Sequence, residues 1–156
     1  MKFVMKESGG SNSDPPPTKH LKVLRLLSVV ASDVPQMTKR SRAKLAAAVV
    51  YKNQVVALGT NQKKSHPFQY RYSINEDSIY LHAETDVIKN ALKNIDEKQL
   101  AKATLYICRV KHTAGTGSKL TWGLSKPCEG CDKAIATFNI KNVVYSLEGV
   151  GNYSVL

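Results

Sequence analysis

Leu21, Leu24 and Leu27, with Val23, Leu26 and Val30 beside them, recur at the three- and four-residue intervals of one helix face. The spacing predicts a first helix running from Thr18, a suitable N-cap, to about Ala31. The pattern then changes. Ala46–Tyr51 and Gln54–Thr60 are short apolar runs on either side of Lys52-Asn53, which predicts two strands joined by a hairpin turn. Residues 61–79 are polar and aromatic without a period, a long insert of the kind that carries function. Helical spacing returns from His82 to about Ile95, with Val87, Ile88, Ala91, Leu92 and Ile95 as the apolar stripe. Asp96-Glu-Lys-Gln99 can cap a further short turn. Thr104–Val110 has strand composition, and residues 111–126, with Ala114-Gly-Thr-Gly-Ser118, read as a loop. A helix from Cys128 to about Asn139, with Pro127 entering its first turn, and a strand at Asn142–Ser146 complete the pattern. Strands alternating with helices imply an α/β fold with right-handed crossovers.

The length, 156 residues, is that of one domain able to bury a core, and 42% hydrophobic with 22% charged residues describes a soluble globular protein. Residues 8–17 have linker composition, so residues 1–17 are expected to be a flexible lead-in to a single domain at 18–156. No run approaches the ~20 apolar residues of a membrane span, and the start has no secretory apolar core. Three cysteines are an odd number, and two stand at metal spacing, which favours the reducing cytoplasm over a disulfide scaffold. The net charge is +11, and seven basic residues against one acid lie between Lys19 and Lys44. Such a stretch suits a phosphate-bearing partner, and equally a solvated surface.

The candidate chemistry lies in His82-Ala83-Glu84 and, further along, Pro127-Cys128-Glu129-Gly130-Cys131. One His and two Cys supply three zinc ligands and leave one corner of a tetrahedron for water, where a closed structural site would use a fourth protein ligand. Glu84, two residues from His82, is placed to move protons to and from that water. The backbone N–H of Ala83, at a helix start, can donate to a substrate oxygen. This H-x-E…P-C-x-x-C arrangement is the zinc deaminase pattern. Three blander readings compete. C-x-x-C alone is often a redox pair, Cys108 would make a fourth ligand of a structural site, and the scaffold could be an inactive zinc-binding module. Cys108 has apolar strand neighbours, which suit a small buried hydrophobe. His20, His66 and His112 show no ligand spacing and read as surface or loop residues.

On these residues the chain resembles the cytidine and deoxycytidylate deaminase superfamily, over roughly residues 40–150. The stretches Asn61-Gln-Lys-Lys-Ser-His-Pro67 and Leu81–Leu92 look most like small phage-type deoxycytidylate deaminases. The resemblance implies a cytidine deaminase-like three-layer fold, its mixed sheet in order 2-1-3-4-5 between helices, with the fifth strand short or absent near 152–156. It makes His82, Cys128 and Cys131 the zinc ligands and Glu84 the proton shuttle. It puts Asn61 at the substrate's sugar, and the backbone of Ser125 and Lys126 at the amino group that leaves. It further implies a homo-oligomer.

The expected reaction converts cytosine to uracil with release of ammonia on a free nucleotide, dCMP to dUMP, with Arg71 or a neighbouring Lys at the phosphate. The alternative is cytosine in single-stranded DNA or RNA, with adenine a third option. The chain departs from the family in the Gln62-Lys-Lys that follows Asn61, and in an insert whose one His or Cys is His66, so triphosphate control is not expected. That insert interleaves Lys63, Lys64 and Arg71 with Phe68, Tyr70 and Tyr72. It would grip one phosphate and base, track a strand, or pack its aromatics on the sheet.

Overall fold

The computed structural model describes residues 3–6, 18–35, 44–62, 67–72, 82–112 and 119–156. The first helix, α1 (Lys19–Ser32), is capped by Thr18, whose side chain accepts from the Leu21 N–H. Strands β2 (Lys44–Tyr51) and β3 (Gln54–Thr60) form the expected hairpin. Lys52 and Asn53 both take positive φ (49° and 63°), which a two-residue turn matched to the strand twist requires. The register of the pair shifts once, between Val49 and Val50.

The remaining elements are β1 (Phe3–Lys6), α2 (Pro67–Tyr72), α3 (Ala83–Ala91), α4 (Glu97–Ala101), β4 (Thr104–His112), β5 (Leu120–Gly123), α5 (Glu129–Thr137), β6 (Asn142–Ser146) and β7 (Asn152–Val155). The strands form one mixed sheet in the order β1-β7-β6-β4-β2-β3. Counting from β2, the hairpin and the next three core strands stand in the expected order, and the short fifth strand is present as β7. The β4–β6 pair is parallel and the other ladders are antiparallel.

Four expectations change. Phe3–Lys6, inside the expected lead-in, is a strand on the outer edge of β7, whose backbone groups it pairs. The segment read as a loop before Lys126 contains β5, a four-residue strand paired with β4. The helix from His82 ends at Ala91 rather than Ile95, because Asp96 opens α4 with a full capping box to Gln99. Pro127 precedes the cap of α5 instead of entering its first turn, since Cys128 is the N-cap.

Helices cover both faces. The α1 leucines Leu21, Leu24 and Leu27 pack with Ala46, Ala48, Tyr106, Cys108 and Trp122 on one side. On the other, Val87 and Ile88 of α3 and Ala134 and Ile135 of α5 pack with Ala47, Val49, Leu105 and Ile107. The consecutive alanines Ala46, Ala47 and Ala48 in β2 keep both faces of that strand low, so helices can approach from either side. His20, read as a surface residue, is half-buried on α1 with Nδ1 2.7 Å from the Tyr106 hydroxyl. Its imidazole pKa is pulled down, first by burial and then by the Lys19 charge.

Gly59 sets the distance between β3 and α3. A Cβ there would lie 2.5 Å from the Val87 nitrogen and 2.8 Å from the Ala83 carbonyl oxygen. Backbone cannot move aside as a side-chain end can, so we expect Gly59→Ala to cost about 1–3 kcal/mol in urea unfolding. Because the displaced element carries His82 and Glu84 at its start, zinc affinity should fall with stability. A wild-type midpoint for this variant would show that α3 does not rest on Gly59.

Candidate active site

Two helix starts face one another here. His82 is the N-cap of α3 and Cys128 is the N-cap of α5, with Cys131 in the first turn of α5. The expectation that the two motif halves sit where chain feeds a helix holds. Cys128 Sγ accepts from the Cys131 N–H at 3.5 Å, so this candidate ligand also caps its own helix. The positive ends of both helices favour thiolate and carboxylate.

His82 Nδ1 lies 3.3 Å from Cys131 Sγ and 3.6 Å from Cys128 Sγ. The three donor atoms fall within 4.8 Å of one another. Tetrahedral zinc, held at about 2.0–2.1 Å by nitrogen and about 2.3 Å by sulfur, sets N···S edges near 3.5 Å. The donor set therefore fits zinc in kind and in spacing. Its electrostatics point the same way. Hydrogen bonds from Cys131 and then His82 bring the Cys128 thiol down to about 3. The Cys131 thiol is pushed up, first by neighbouring Cys128 and then by burial. The hydrogen bond to Cys128 pushes the His82 imidazole up. Two sulfurs and an imidazole this close cannot all take their ligand form without a cation among them.

Cys108 is excluded as a fourth ligand by the sheet. Its side chain is fully buried on the α1 face, whereas the metal group lies on the α3 and α5 side, and burial raises its thiol to about 12. His112, at the end of β4, is outside the group, and His66 is outside the described residues.

Glu84 is buried beside the metal group. Burial raises its carboxyl pKa, while the nearby His82 and a hydrogen bond from Cys131 oppose the rise. A carboxyl buried beside the metal group is placed to take a proton and to return it. Next to it a cleft of about 260 Å³ opens, with His82, Ala83, Glu84 and Cys128 at the metal end. Asn61, Ser125 and Lys126 also line this cleft, so seven of the expected site residues share one cavity. Cys131 stands behind them, fully buried. Arg71 does not line the cleft; it is exposed on α2.

The sheet explains why the loop before Cys128 is firm. β4 pairs with β6 through Ile107 and with β5 from Arg109, so its partner changes at Cys108. Two serines close the gap between the partners. The Ser125 hydroxyl donates to the Ile107 carbonyl at 3.0 Å, and the Ser146 N–H donates to Ser125 Oγ at 2.8 Å. The Ser146 hydroxyl donates to the Gly123 carbonyl at 2.7 Å and accepts from the Arg109 N–H at 3.0 Å. The Ser125 side chain is thus held by the backbone and by the Ser146 hydroxyl, which fixes the start of the loop.

Other contributors were silent in the sequence. Gln69, buried on α2, accepts from the His82 N–H at 3.0 Å and from the Thr85 hydroxyl. Asp86 accepts from the Thr60 N–H at 3.0 Å and the Gln62 amide at 3.1 Å, tying the end of β3 to α3. Asn61 Oδ1 accepts from the Leu45 N–H at 2.9 Å. Two of the insert aromatics pack against their neighbours: Phe68 stacks on Phe138 at 6.1 Å between centroids and meets Tyr72 edge-on, and Tyr72 is buried. Lys63 and Lys64 lie outside the described residues, as do Lys39, Arg40 and Arg42.

A family model described as the cytidine and deoxycytidylate deaminase zinc-binding region matches residues 18–147. Among solved structures, the chain is similar to the dCMP deaminase of the cyanophage S-TIM5 in apo form. That likeness has 24% identity and a TM-score of 0.47, covering 85% of this chain and 82% of the other. The same phage enzyme in complex with dCMP and dUMP matches with 24% identity and a TM-score of 0.47, covering 83% and 79%. No match is found among curated proteins.

Proposed function

From the chain's membership of the cytidine and deoxycytidylate deaminase family, which makes it a zinc-dependent deaminase, we propose that it converts dCMP to dUMP as a free nucleotide. The observation that carries the reading is the convergence of His82, Cys128 and Cys131 on one point beside the buried carboxyl of Glu84. His82, Cys128 and Cys131 would hold the zinc, which when bound supplies Lewis-acid activation of water. Glu84 takes a proton from the attacking water and delivers it to N3 of the cytosine ring. It then carries the second proton to the departing amino group, so that water and cytosine become uracil and ammonia. The Ala83 N–H, first in α3, donates to the base carbonyl, and the main chain of Ser125 and Lys126 accepts from the amino group. Asn61, held to β2 through Leu45, meets the sugar.

The free-nucleotide reading is favoured over a polynucleotide one by the insert. Stacking on successive bases needs exposed rings, and here Phe68 packs on Phe138 while Tyr72 is buried. A substrate panel on zinc-loaded protein tests it: dCMP, CMP, deoxycytidine, adenosine and a single-stranded cytosine oligonucleotide, with products identified by mass spectrometry. We expect dUMP from dCMP, an untouched oligonucleotide, and a shallow dependence of KM on salt, as one phosphate contact gives. Deamination of the oligonucleotide with dCMP unchanged would replace this reading with the polynucleotide one.

A further inference from the structure

Arg109 is a charged wall of the cleft for which base deamination has no use. It stands on β4 between Leu45 of β2 and Gly123 of β5. Its Nε is buried and has no hydrogen-bond partner. The ion pairs among the described residues join Lys89 to Asp86 and Lys111 to Glu148; Glu148 also feels the Arg109 charge, but less than that of Lys111, and forms no ion pair with it. A buried guanidinium N–H without an acceptor is costly, and a ligand that brings the acceptor removes the cost.

The position is also built to seat the side chain. A Cβ at Gly123 would lie 3.3 Å from Arg109 Cδ and 3.5 Å from Cγ, so the missing side chain leaves room for the arginine stem across β5. The Arg109 N–H is fixed by Ser146 Oγ at 3.0 Å, which ties the residue to the same pair of serines that holds the loop of Ser125 and Lys126.

The chemistry of the ligand follows from charge. Base and sugar are neutral, and phosphate is the anionic part of a nucleotide; a planar guanidinium matches two of its oxygens. The placement agrees. Asn61 bonds to Leu45, and Leu45 is the residue directly opposite Arg109 across the β2–β4 ladder. A sugar resting at Asn61 would therefore present its 5′ substituent near Arg109, with exposed Lys126 lining the same cleft. The geometry points to Arg109 as the phosphomonoester subsite of the cleft, selecting nucleotide over nucleoside in place of Arg71; this deepens the dCMP reading and rests on it.

The test is titration calorimetry of zinc-loaded wild type, Arg109→Gln and Arg109→Lys with dUMP and with deoxyuridine, alongside turnover of dCMP and deoxycytidine. Wild type should prefer dUMP to deoxyuridine. Arg109→Gln should shrink that preference by roughly 10–100-fold, the worth of a charged hydrogen-bonded contact, with deoxyuridine affinity unchanged. Arg109→Lys keeps the stem and charge but loses the fork, and should fall between. An Arg109→Gln protein that keeps the full preference for dUMP overturns the proposal, as does equal weakening of both ligands in the two variants. Loss of the preference in Arg71→Gln with Arg109→Gln unaffected would also overturn it. Absence of dCMP turnover in wild type defeats the nucleotide reading separately, since the dUMP and deoxyuridine affinities are read without catalysis.

Discussion

Glu84→Gln should lower kcat by about 10²–10⁴-fold, the range that a positioned general acid–base contributes, while the protein keeps one equivalent of zinc. The amide fills the same volume beside Cys131 and His82 but can neither accept the water's proton nor return one to the base. Zinc should stay because the carboxyl is not among the three convergent donor atoms. KM should change much less than kcat, because the lost interaction belongs to the transition state. Elemental analysis beside steady-state kinetics separates the alternatives. Near-wild-type turnover would remove Glu84 from proton transfer, and loss of zinc in step with activity would make it a structural support of the metal group.

Stripping the metal should abolish turnover and also soften the fold around two helix starts. His82 caps α3 and Cys128 caps α5, so a metal held by these candidate ligands would tie the two helix starts together. Without the ion, the Cys128 thiolate, the Cys131 thiol and the imidazole are left competing for protons in a partly buried space. A ligand at about a thousandfold excess over its Kd stabilises by about 4 kcal/mol, which for a domain of this size lowers Tm by roughly 10 °C on removal. Cys131→Ser should reproduce both effects, because that buried sulfur has no solvent route to a substitute donor. Full activity in chelator-treated, metal-free protein would defeat the zinc assignment. An unchanged Tm with activity lost would confine the metal to chemistry.

The metal group and Glu84 were readable because each half is local. His82 and Glu84 are two residues apart, Cys128 and Cys131 three apart, and the spacing itself carries the ligand geometry. The periodic segments were readable for the same reason. α1 extends one residue beyond the expected end, and the Lys52-Asn53 turn falls where the hairpin was placed. Arg109 was not readable, because an arginine inside a strand pattern says nothing until β5 arrives beside it with a glycine. Gln69 was hidden likewise; its contact with the His82 N–H spans thirteen residues of unpatterned insert.

Sequence by itself determined the reaction class and the main helices and strands, since motif spacing and apolar period are properties of neighbouring residues; the candidate zinc ligands and the strand order came from the family resemblance. Tertiary structure decided what no local pattern encodes. It put Cys108 on the far face of the sheet from the metal group and turned Phe68 and Tyr72 into the interior. It made strands of Leu120–Gly123 and Phe3–Lys6, segments too short to declare themselves without an edge to pair with. It also left Arg71 in solvent and brought Arg109 into the cleft wall. The physical reason is the same in each case: burial and ladder pairing are settled between residues far apart in the chain, and they override the weak local preference of short segments.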